Sequence, residues 1–324
     1  MQYETELAVM KTALRQAARL TSAIQRKLLE KDVLQKEDRS PVTVADFGSQ
    51  AIVNYVLANS FPTDKMIAEE GSEELKKPEN APLFKHLGEE VEKIVPLKGE
   101  AILKAIDHGR TDDPKTLSRF WTLDPIDGTK GFLRGDHYAI ALALIEGGEV
   151  RAAALACPNM QAPSGEKGLL CLASENQKTL FTSLFTDGPA VEAQTTAAKN
   201  FAEAVICESV ESGHTSHSRA EKIRESLGVQ AEPFRIDSQC KYAAVALGLA
   251  DIYLRLPKSL EYKEKIWDHA AGYLVVTKAG GSVTDTLGRN IDFTTPPLLM
   301  NDLGVVASGR LDHQKLIEAV KASE

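Results

Sequence analysis

The stretch FWTLDPIDGTKGF, residues 120–132, carries two aspartates directly after an apolar run. Asp124 and Asp127 lie three positions apart, with Pro125 between them, and glycines and a threonine follow. The apolar part predicts a β-strand and the glycine-rich part predicts a loop. Carboxylates are rarely buried without a partner. Two of them where a strand becomes a loop therefore indicate a site that holds a counter-charge.

Composition narrows the classes of function. The chain has 324 residues, 43% of them hydrophobic and 26% charged, which is typical of a globular protein with one or two domains. Its formal net charge is −8, and it contains no block of five or more Lys or Arg. A nucleic-acid polymer is therefore not expected as a partner, although a local site can still bind a small anion.

Neither a membrane segment nor a secretory leader is expected. The longest apolar run, YAIALALI from Tyr138, is too short to cross a bilayer, and the first ten residues lack the pattern of a signal peptide. The four cysteines show no C-x-x-C spacing, and they are interpreted as buried free thiols. The expected location is the cytoplasm, with the nucleus as the alternative.

The first half of the chain, residues 1–196, predicts an α+β domain. An amphipathic helix is expected over 5–29. The segment KEDRSPVTVAD, residues 36–46, is expected to interrupt the helical pattern, with its last residue, Asp46, at the start of a second helix. A further helix is predicted around 86–106. Consecutive strand signals then follow, with a hairpin turn at Gly147-Gly148, and they favour an antiparallel sheet.

The second half, residues 197–324, alternates strand and helix signals, which is typical of an α/β domain with crossover connections. The motif WDHAAGYLVVTKAGG opens one of these helices with Asp268. The predicted fold class is thus α+β in the first half and α/β in the second.

Acidic residues stand at the ends of several predicted elements: Asp46, Glu69, Glu70, Asp124, Asp127 and Asp268. Each alone is compatible with an ordinary helix-terminal charge or turn. Together with a backbone carbonyl at Ile126 they suit a hard cation, Mg²⁺ above all. Paired Mg²⁺ ions would serve a phosphoryl transfer. The spacing D-x-x-D-G-T differs from D-x-D-x-T, whose first Asp is a nucleophile, so water is the expected nucleophile here.

These motifs resemble a known superfamily. DPIDGTKGF, SPVTVADFGSQAIV, the acidic pair after a strand and WDHAAGYLVVTKAGG are similar to the lithium-sensitive, Mg²⁺-dependent phosphatases that include the inositol monophosphatases. They span Asp46 to Gly281 in family order. Within that group, GHTSHS, DSQCKYAAVALGLADIYLRLP and YKEKIWDHAAG resemble the 3′(2′),5′-bisphosphate nucleotidases of the fungal and plant type. The resemblance implies a layered αβαβα sandwich of the sugar-phosphatase type.

The resemblance also implies roles for individual residues. Two Mg²⁺ ions, and a weaker third, would be held by Asp46, Glu69, Asp124, the Ile126 carbonyl, Asp127 and Asp268. Asp124 would bridge two ions, and Asp46 would accept a hydrogen bond from Thr129. That Thr–Asp pair would activate the attacking water. Substrate contacts are implied for Gly128, Thr129, His214, Ser238, Lys241, Arg255 and Asp268, with Ser238, Lys241 and Arg255 on a second phosphate.

Several alternatives stay open at this point. Lys241 and Arg255 are also compatible with a solvated face. The H-x-x-H spacing of His214 and His217 permits a zinc site, although a loop or nucleotide role fits better in the absence of nearby ligands. His269 is interpreted as a core or helix-capping residue.

The expected activity follows from the resemblance. It is removal of the 3′-phosphate of 3′-phosphoadenosine 5′-phosphate to give AMP, with 3′-phosphoadenosine 5′-phosphosulfate as a further substrate, a role in sulfate assimilation and inhibition by lithium. An inositol-phosphate phosphatase and a non-catalytic nucleotide sensor are the rival hypotheses. The partner is a small nucleotide bisphosphate, and a monomer is expected.

Overall fold

The computed structural model describes residues 2–30, 40–196, 198, 200–210, 217–256, 263–299, 301 and 304–323, which form nine α-helices and twelve β-strands. The helices are α1 (Glu4–Glu30), α2 (Ser40–Ser60), α3 (Ala81–Val91), α4 (Glu100–Ile106), α5 (Thr129–Arg134), α6 (His217–Leu227), α7 (Cys240–Leu247), α8 (Ala270–Lys278) and α9 (His313–Ala322). The strands are β1 (Lys65–Ala68), β2 (Arg119–Asp127), β3 (Ala139–Glu146), β4 (Glu149–Gln161), β5 (Lys167–Ser174), β6 (Gln177–Ser183), β7 (Val191–Glu192), β8 (Ile206–Glu208), β9 (Phe234–Arg235), β10 (Ile252–Arg255), β11 (Ser282–Asp285) and β12 (Val305–Ser308).

The first sheet contains seven strands in chain order, β1 to β7. β1 runs parallel to β2, and the later pairs are antiparallel, as the consecutive strand signals predict. Side chains alternate between the two faces of the sheet. Leu142 and Leu144 of β3 lie in the core that α1 and α2 cover, whereas Ala141 and Ala143 lie in the core that α7 and α8 cover. Both faces of this sheet are therefore buried.

The second sheet has the strand order β11-β12-β10-β8-β9 and mixes parallel and antiparallel pairs. Ile252 and Leu254 of β10 pack with Ile223 of α6 and Ile317 of α9 on one face. Tyr253 points to the opposite face, against α7 and α8. The layers are thus α1/α2, first sheet, α7/α8, second sheet and α6/α9. The predicted αβαβα sandwich is confirmed.

The middle layer is packed tightly where α7 meets α8. Gly272 of α8 lies so close to Tyr242 of α7 that a Cβ at position 272 would stand 2.1 Å from the tyrosine ring. The Gly272 N–H donates to Oε1 of Gln239 at 3.2 Å, and Gln239 is the residue that precedes α7. Only a glycine permits this separation of the two helices.

The start of α2 differs from the sequence-based expectation. The helix begins at Ser40, and Asp46 stands in its second turn instead of opening it. Pro41 lies in the first turn, where the missing N–H breaks no intrahelical hydrogen bond. Residues 40–46 of that segment therefore belong to the helix, whereas residues 36–39 lie outside the described residues.

The helix predicted around 86–106 is two helices, α3 and α4. Pro96 and Gly99 fall between them, and Gly99 has a φ of +50°. A proline cannot continue the helical hydrogen bonds and this glycine adopts a left-handed conformation, so the chain turns here.

The first sheet ends with β7 and the second begins with β8, on either side of residue 196. However, α8 from the second half packs directly on β4 and β5 of the first. The division into domains of residues 1–196 and 197–324 stays a prediction.

Two further expectations concern the thiols and the membrane. Cys157, Cys171, Cys207 and Cys240 are all buried and free, so the prediction of buried thiols is confirmed. None of the described helices combines the length and the apolar composition that a bilayer crossing requires.

Candidate active site

The parallel pairing of β1 and β2 brings two acidic segments to the same edge of the first sheet. Glu69 follows β1, and its N–H donates to the carbonyl of Leu123 in β2, at 3.3 Å. Asp124 and Asp127 occupy the last positions of β2. All three carboxylates line one cleft of about 190 Å³.

An irregularity in β2 aims both aspartates into that cleft. Residues three apart in a regular strand face opposite sides of a sheet. The pairing of β2 with β3 shifts register between Asp124 and Asp127, which places both on the cleft side. The Ile126 N–H donates to Oδ1 of Asp124 at 3.1 Å, and the Pro125 carbonyl accepts from the Ser49 hydroxyl at 2.9 Å. The bulge is therefore held from within the strand and from α2.

Helix α2 supports the acidic edge through Gln50. Its Nε2 donates to the Glu70 carbonyl at 2.7 Å, and its Oε1 accepts the Glu70 N–H at 3.2 Å. Asp46 lies one turn earlier, on the same face of the helix. Burial, followed by the charges of Glu70 and Glu69, raises the pKa of Asp46 well above its ordinary value.

The electrostatics show that the predicted acids converge. Burial raises the pKa of Asp124 well above its ordinary value, and the charges of Glu69, Asp127, Asp268 and Asp46 add to that effect in this order. The pKa of Glu69 rises to about 7, first through burial and then through neighbouring carboxylates. Five acids from four separate segments thus repel one another in one place, as negative charges without a counter-ion must.

This donor set fits a hard divalent cation. The candidate ligands in the cleft wall are carboxylate oxygens and the Ile126 residue beside them. Neither His nor Cys is among the described residues that line the cleft. Asp46, Glu69, Asp124, Ile126, Asp127 and Asp268 would hold the ions, which is the predicted set.

A tighter group of possible ligands consists of Glu264, Asp268 and His269, whose ligand atoms lie within 4.8 Å of one another. Here Glu264 is already paired with Arg255 at 2.8 Å and with His269 at 3.1 Å. Burial opposes ionisation of Glu264, but these partners lower its pKa to about 2. We therefore interpret this group as an ion-pair network at the margin of the acidic site.

The raised pKa of Glu69 predicts a pH-dependent stability. Between its ordinary value of 4.5 and about 7, the folded protein binds more protons than the unfolded chain. The free energy of unfolding of metal-free protein should therefore fall as pH rises from about 5 to about 8. A divalent cation should raise the melting temperature more at about pH 8 than at about pH 5. Calorimetry with EDTA or with Mg²⁺ measures both; a cation effect that is equal at the two pH values would contradict the assignment.

Gly128 and Thr129 form the turn from β2 into α5. Gly128 has a φ of +91°, and a Cβ there would stand 2.8 Å from Cβ of Ser238. The turn thus contacts the loop that precedes α7. Thr129 lines the cleft, but within the described part of the chain its hydroxyl makes no hydrogen bond to Asp46. The charges of Glu70 and Glu69 act on Asp46 instead. The Thr129–Asp46 hydrogen bond that the resemblance implies stays a prediction.

Cationic side chains also form part of the cleft wall. Lys241 of α7 is buried; its Nζ donates to the Ser209 hydroxyl at 3.1 Å and lies 5.3 Å from the ring centroid of Tyr253. Burial lowers the pKa of Lys241. Arg255 ends β10 and also lines the cleft, so both residues face the acidic site and are not on a solvated surface.

Helix α7 begins at Cys240, directly after the loop that carries Ser238. Ser238 precedes the helix, with a φ of +66°, and its hydroxyl accepts the N–H of Cys240 at 3.2 Å. Ser238 and Lys241 nevertheless line the same cleft. His214 lies outside the described residues, as does the side chain of His217.

Some residues that shape the cleft carry no signal of their own in the sequence. The Gln239 N–H donates to the Asp127 carboxylate, and its side-chain amide donates to the Trp267 carbonyl at 2.8 Å. Asp237 pairs with Arg134 and accepts the Val210 N–H. Asp237 and Gln239 both lie within the DSQCKY block quoted above, but nothing in the sequence of that block indicates their partners on other elements.

Comparison with known proteins gives consistent results. A model described as the inositol monophosphatase family matches residues 2–324. The chain is 43% identical to a 3′(2′),5′-bisphosphate nucleotidase of Oryza sativa, over 98% of this chain and 94% of that protein. It is 38% identical to a protein of the same name from Schizosaccharomyces pombe, over 99% and 96% of the respective chains.

Solved structures show the same fold at lower sequence identity. The suhB protein of Bartonella henselae superposes with a TM-score of 0.65 at 20% identity, covering 98% of this chain and 99% of that one. CysQ of Bacteroides thetaiotaomicron also gives a TM-score of 0.65, at 17% identity and with 95% and 98% coverage.

Proposed function

Because the chain belongs to the inositol monophosphatase family, we propose that its cleft hydrolyses the 3′-phosphate of 3′-phosphoadenosine 5′-phosphate, giving AMP and inorganic phosphate. The sequence identity of 38–43% to 3′(2′),5′-bisphosphate nucleotidases, over nearly the full length of the chain, supports this substrate over an inositol phosphate. The observation that carries the proposal is that one cleft is lined both by the acids Glu69, Asp124, Asp127 and Asp268 and by the cations Lys241 and Arg255. A substrate with two phosphates suits such a cleft.

The reaction is the attack of water on the phosphorus of the 3′-phosphate. The bond between phosphorus and the ribose 3′-oxygen breaks, and that oxygen leaves with a proton. Bound divalent cations would lower the pKa of the attacking water and neutralise charge on the phosphate. We assign two Mg²⁺ ions and a weaker third to the predicted acidic set.

The residues of the chain itself orient the reactants. Thr129, which lines the cleft, and Asp46 are assigned to the orientation and deprotonation of the attacking water, a role that requires the two side chains to meet. The N–H groups of Gly128 and Thr129 bind the reacting phosphate, which the positive φ of Gly128 allows to approach the backbone. Asp268 contributes both a cation ligand and a substrate contact.

The second phosphate binds at the cationic wall. Lys241 supplies a buried ammonium group, Arg255 a forked guanidinium and Ser238 a hydroxyl. His214 is assigned to the nucleoside. A 5′-phosphosulfate presents the same oxygens to this wall, so 3′-phosphoadenosine 5′-phosphosulfate is a further substrate. A sulfate-assimilation role, lithium inhibition, a cytoplasmic location and a monomeric state complete the proposal.

Phosphate release tests this function. Purified protein should release phosphate from adenosine 3′,5′-bisphosphate only when Mg²⁺ is present, and Li⁺ should inhibit it. Its kcat/KM on this substrate should exceed that on inositol 1-phosphate and inositol 1,4-bisphosphate by at least about 30-fold, since one lost charge-assisted contact alone is worth about 2 kcal/mol. A preference for either inositol phosphate would reverse the substrate assignment. Tight binding of the bisphosphate without turnover would indicate a sensor.

A further inference from the structure

Glu264 is a buried carboxylate beside the cleft that the reaction does not use directly. Its side chain is 4% exposed, and it forms a two-point ion pair with Arg255. Nε of Arg255 donates to Oε1 at 2.8 Å, and Nη2 lies 2.8 Å from Oε2. Parallel contacts of this kind hold a guanidinium in one orientation.

The same carboxylate is anchored on its other side. His269 Nε2 lies 3.1 Å from Oε2 of Glu264, and His269 Nδ1 lies 2.7 Å from the Tyr242 hydroxyl of α7. His269 and Tyr242 are both buried. Glu264 is therefore fixed by the core of the middle layer, and Arg255 is in turn fixed by Glu264.

This geometry determines which donors of Arg255 face a ligand. Glu264 contacts Nε and Nη2 of Arg255. Arg255 lines the cleft together with Lys241 and Ser209. Tyr253 also interacts with the Arg255 side chain. We infer that the donors of Arg255 that face the cleft serve an anion next to the Lys241 ammonium group.

Glu264 also competes for Arg255 with the acidic site. Nη2 of Arg255 lies 3.8 Å from Oδ2 of Asp268, a longer contact than the one with Glu264. Without the Glu264 charge, the attraction of Arg255 to Asp268 would draw the guanidinium towards the reacting phosphate and away from the second one. The closer pairing with Glu264 therefore limits how far Arg255 can move towards Asp268.

We propose that Glu264 is a positioning residue that gives the enzyme its preference for substrates with a second phosphate, by holding Arg255 beside Lys241 and away from Asp268. The proposal rests on the proposed nucleotidase function. Glu264 touches neither the substrate nor the reacting atoms and acts only through Arg255.

The test compares two substrates that differ only in the second phosphate, adenosine 3′,5′-bisphosphate and adenosine 3′-monophosphate. Glu264→Gln keeps the size and one acceptor of the side chain but removes its charge. The preference of the variant for the bisphosphate, measured as the ratio of the two kcat/KM values, should fall by about 10-fold, mainly through KM. The Kd for AMP, measured by calorimetry, should rise by a similar factor.

Matched variants separate positioning from general damage. Glu90→Gln removes another buried carboxylate that is paired with two cations, Lys27 and Lys93, far from the cleft, and it should leave the preference unchanged. In the double variant Glu264→Gln/Arg255→Ala, the preference should equal that of Arg255→Ala alone, because Glu264 acts through Arg255. If Glu264→Gln folds poorly, Glu264→Asp keeps the charge but shortens the reach, and it should show a smaller loss in the same direction.

The outcomes are distinguishable. Equal losses of kcat on both substrates would assign Glu264 to the cation site and overturn the proposal, and an unchanged preference would do the same. A wild-type protein that hydrolyses neither adenosine substrate would instead refute the proposed function.

Discussion

Asp124→Asn is expected to lower kcat by at least about 10³-fold and, at the same time, to raise the melting temperature of the metal-free protein at about pH 8. Asp124 is buried among the four other acids of the cleft, so its charge is unfavourable when no cation is bound. The asparagine oxygen can still accept the Ile126 N–H, which preserves the bulge. The loss of about 4 kcal/mol of transition-state stabilisation reflects the missing cation ligand.

The measurement pairs steady-state kinetics with thermal unfolding in EDTA. Asp285→Asn is the matched control, because Asp285 is equally buried but pairs with Arg289 in the turn after β11. That variant should lose stability and retain kcat. If Asp124→Asn loses stability in EDTA as the control does, the carboxylates of the cleft do not destabilise one another, and the argument for a cation site fails.

Lys241→Met should raise the KM for adenosine 3′,5′-bisphosphate by about 10- to 100-fold, the range of one charge-assisted hydrogen bond in a buried site. Methionine keeps the volume of the stem, which packs in the middle layer, and removes the ammonium group that contacts Ser209 and Tyr253. The KM for adenosine 3′-monophosphate should change far less, because that substrate lacks the second phosphate.

Lys278→Met serves as the control, since Lys278 stands on the neighbouring helix α8 and donates to the Glu175 carbonyl outside the cleft. It should affect neither KM. Equal increases of KM for both substrates in Lys241→Met would show that Lys241 binds the reacting phosphate or supports the fold, and would refute its assignment to the second phosphate.

The sequence made the acidic set recognisable because its members stand in short motifs of fixed spacing. Asp124 and Asp127 mark the end of an apolar strand, and Asp268 opens a helix. The layered fold follows from the same patterns, since alternating strands and helices of this length have few ways to pack. Convergence of acids from both halves was predicted from their positions at the ends of elements and from the family resemblance, and the effect of these acids on the pKa of Asp124 agrees with it.

What the sequence could not show depends on local irregularity and on long-range pairing. No pattern revealed that β2 shifts register between its two aspartates, which decides where Asp127 points. Pro41 suggested that the helix had not yet begun, but it lies in the first turn of α2. Asp46 therefore lies inside the helix and not at its start. Glu264 and Gln239 act through partners on other elements, and a single sequence gives no spacing rule for such contacts.

The glycine contact between α7 and α8 has a consequence for selectivity. Lys241 lies on α7, and Asp268 lies two residues before α8 begins. If these two residues bind the ligand as proposed, the separation of the two helices would set the distance between the two phosphates that the cleft accepts. Gly272 permits the short separation of α7 and α8, because any side chain at this position would collide with Tyr242 and push the helices apart. Gly272 would then influence the length of substrate that the enzyme accepts without contacting the substrate. A larger residue at position 272 would favour a substrate with more widely spaced phosphates, while the anion-binding side chains remained unchanged.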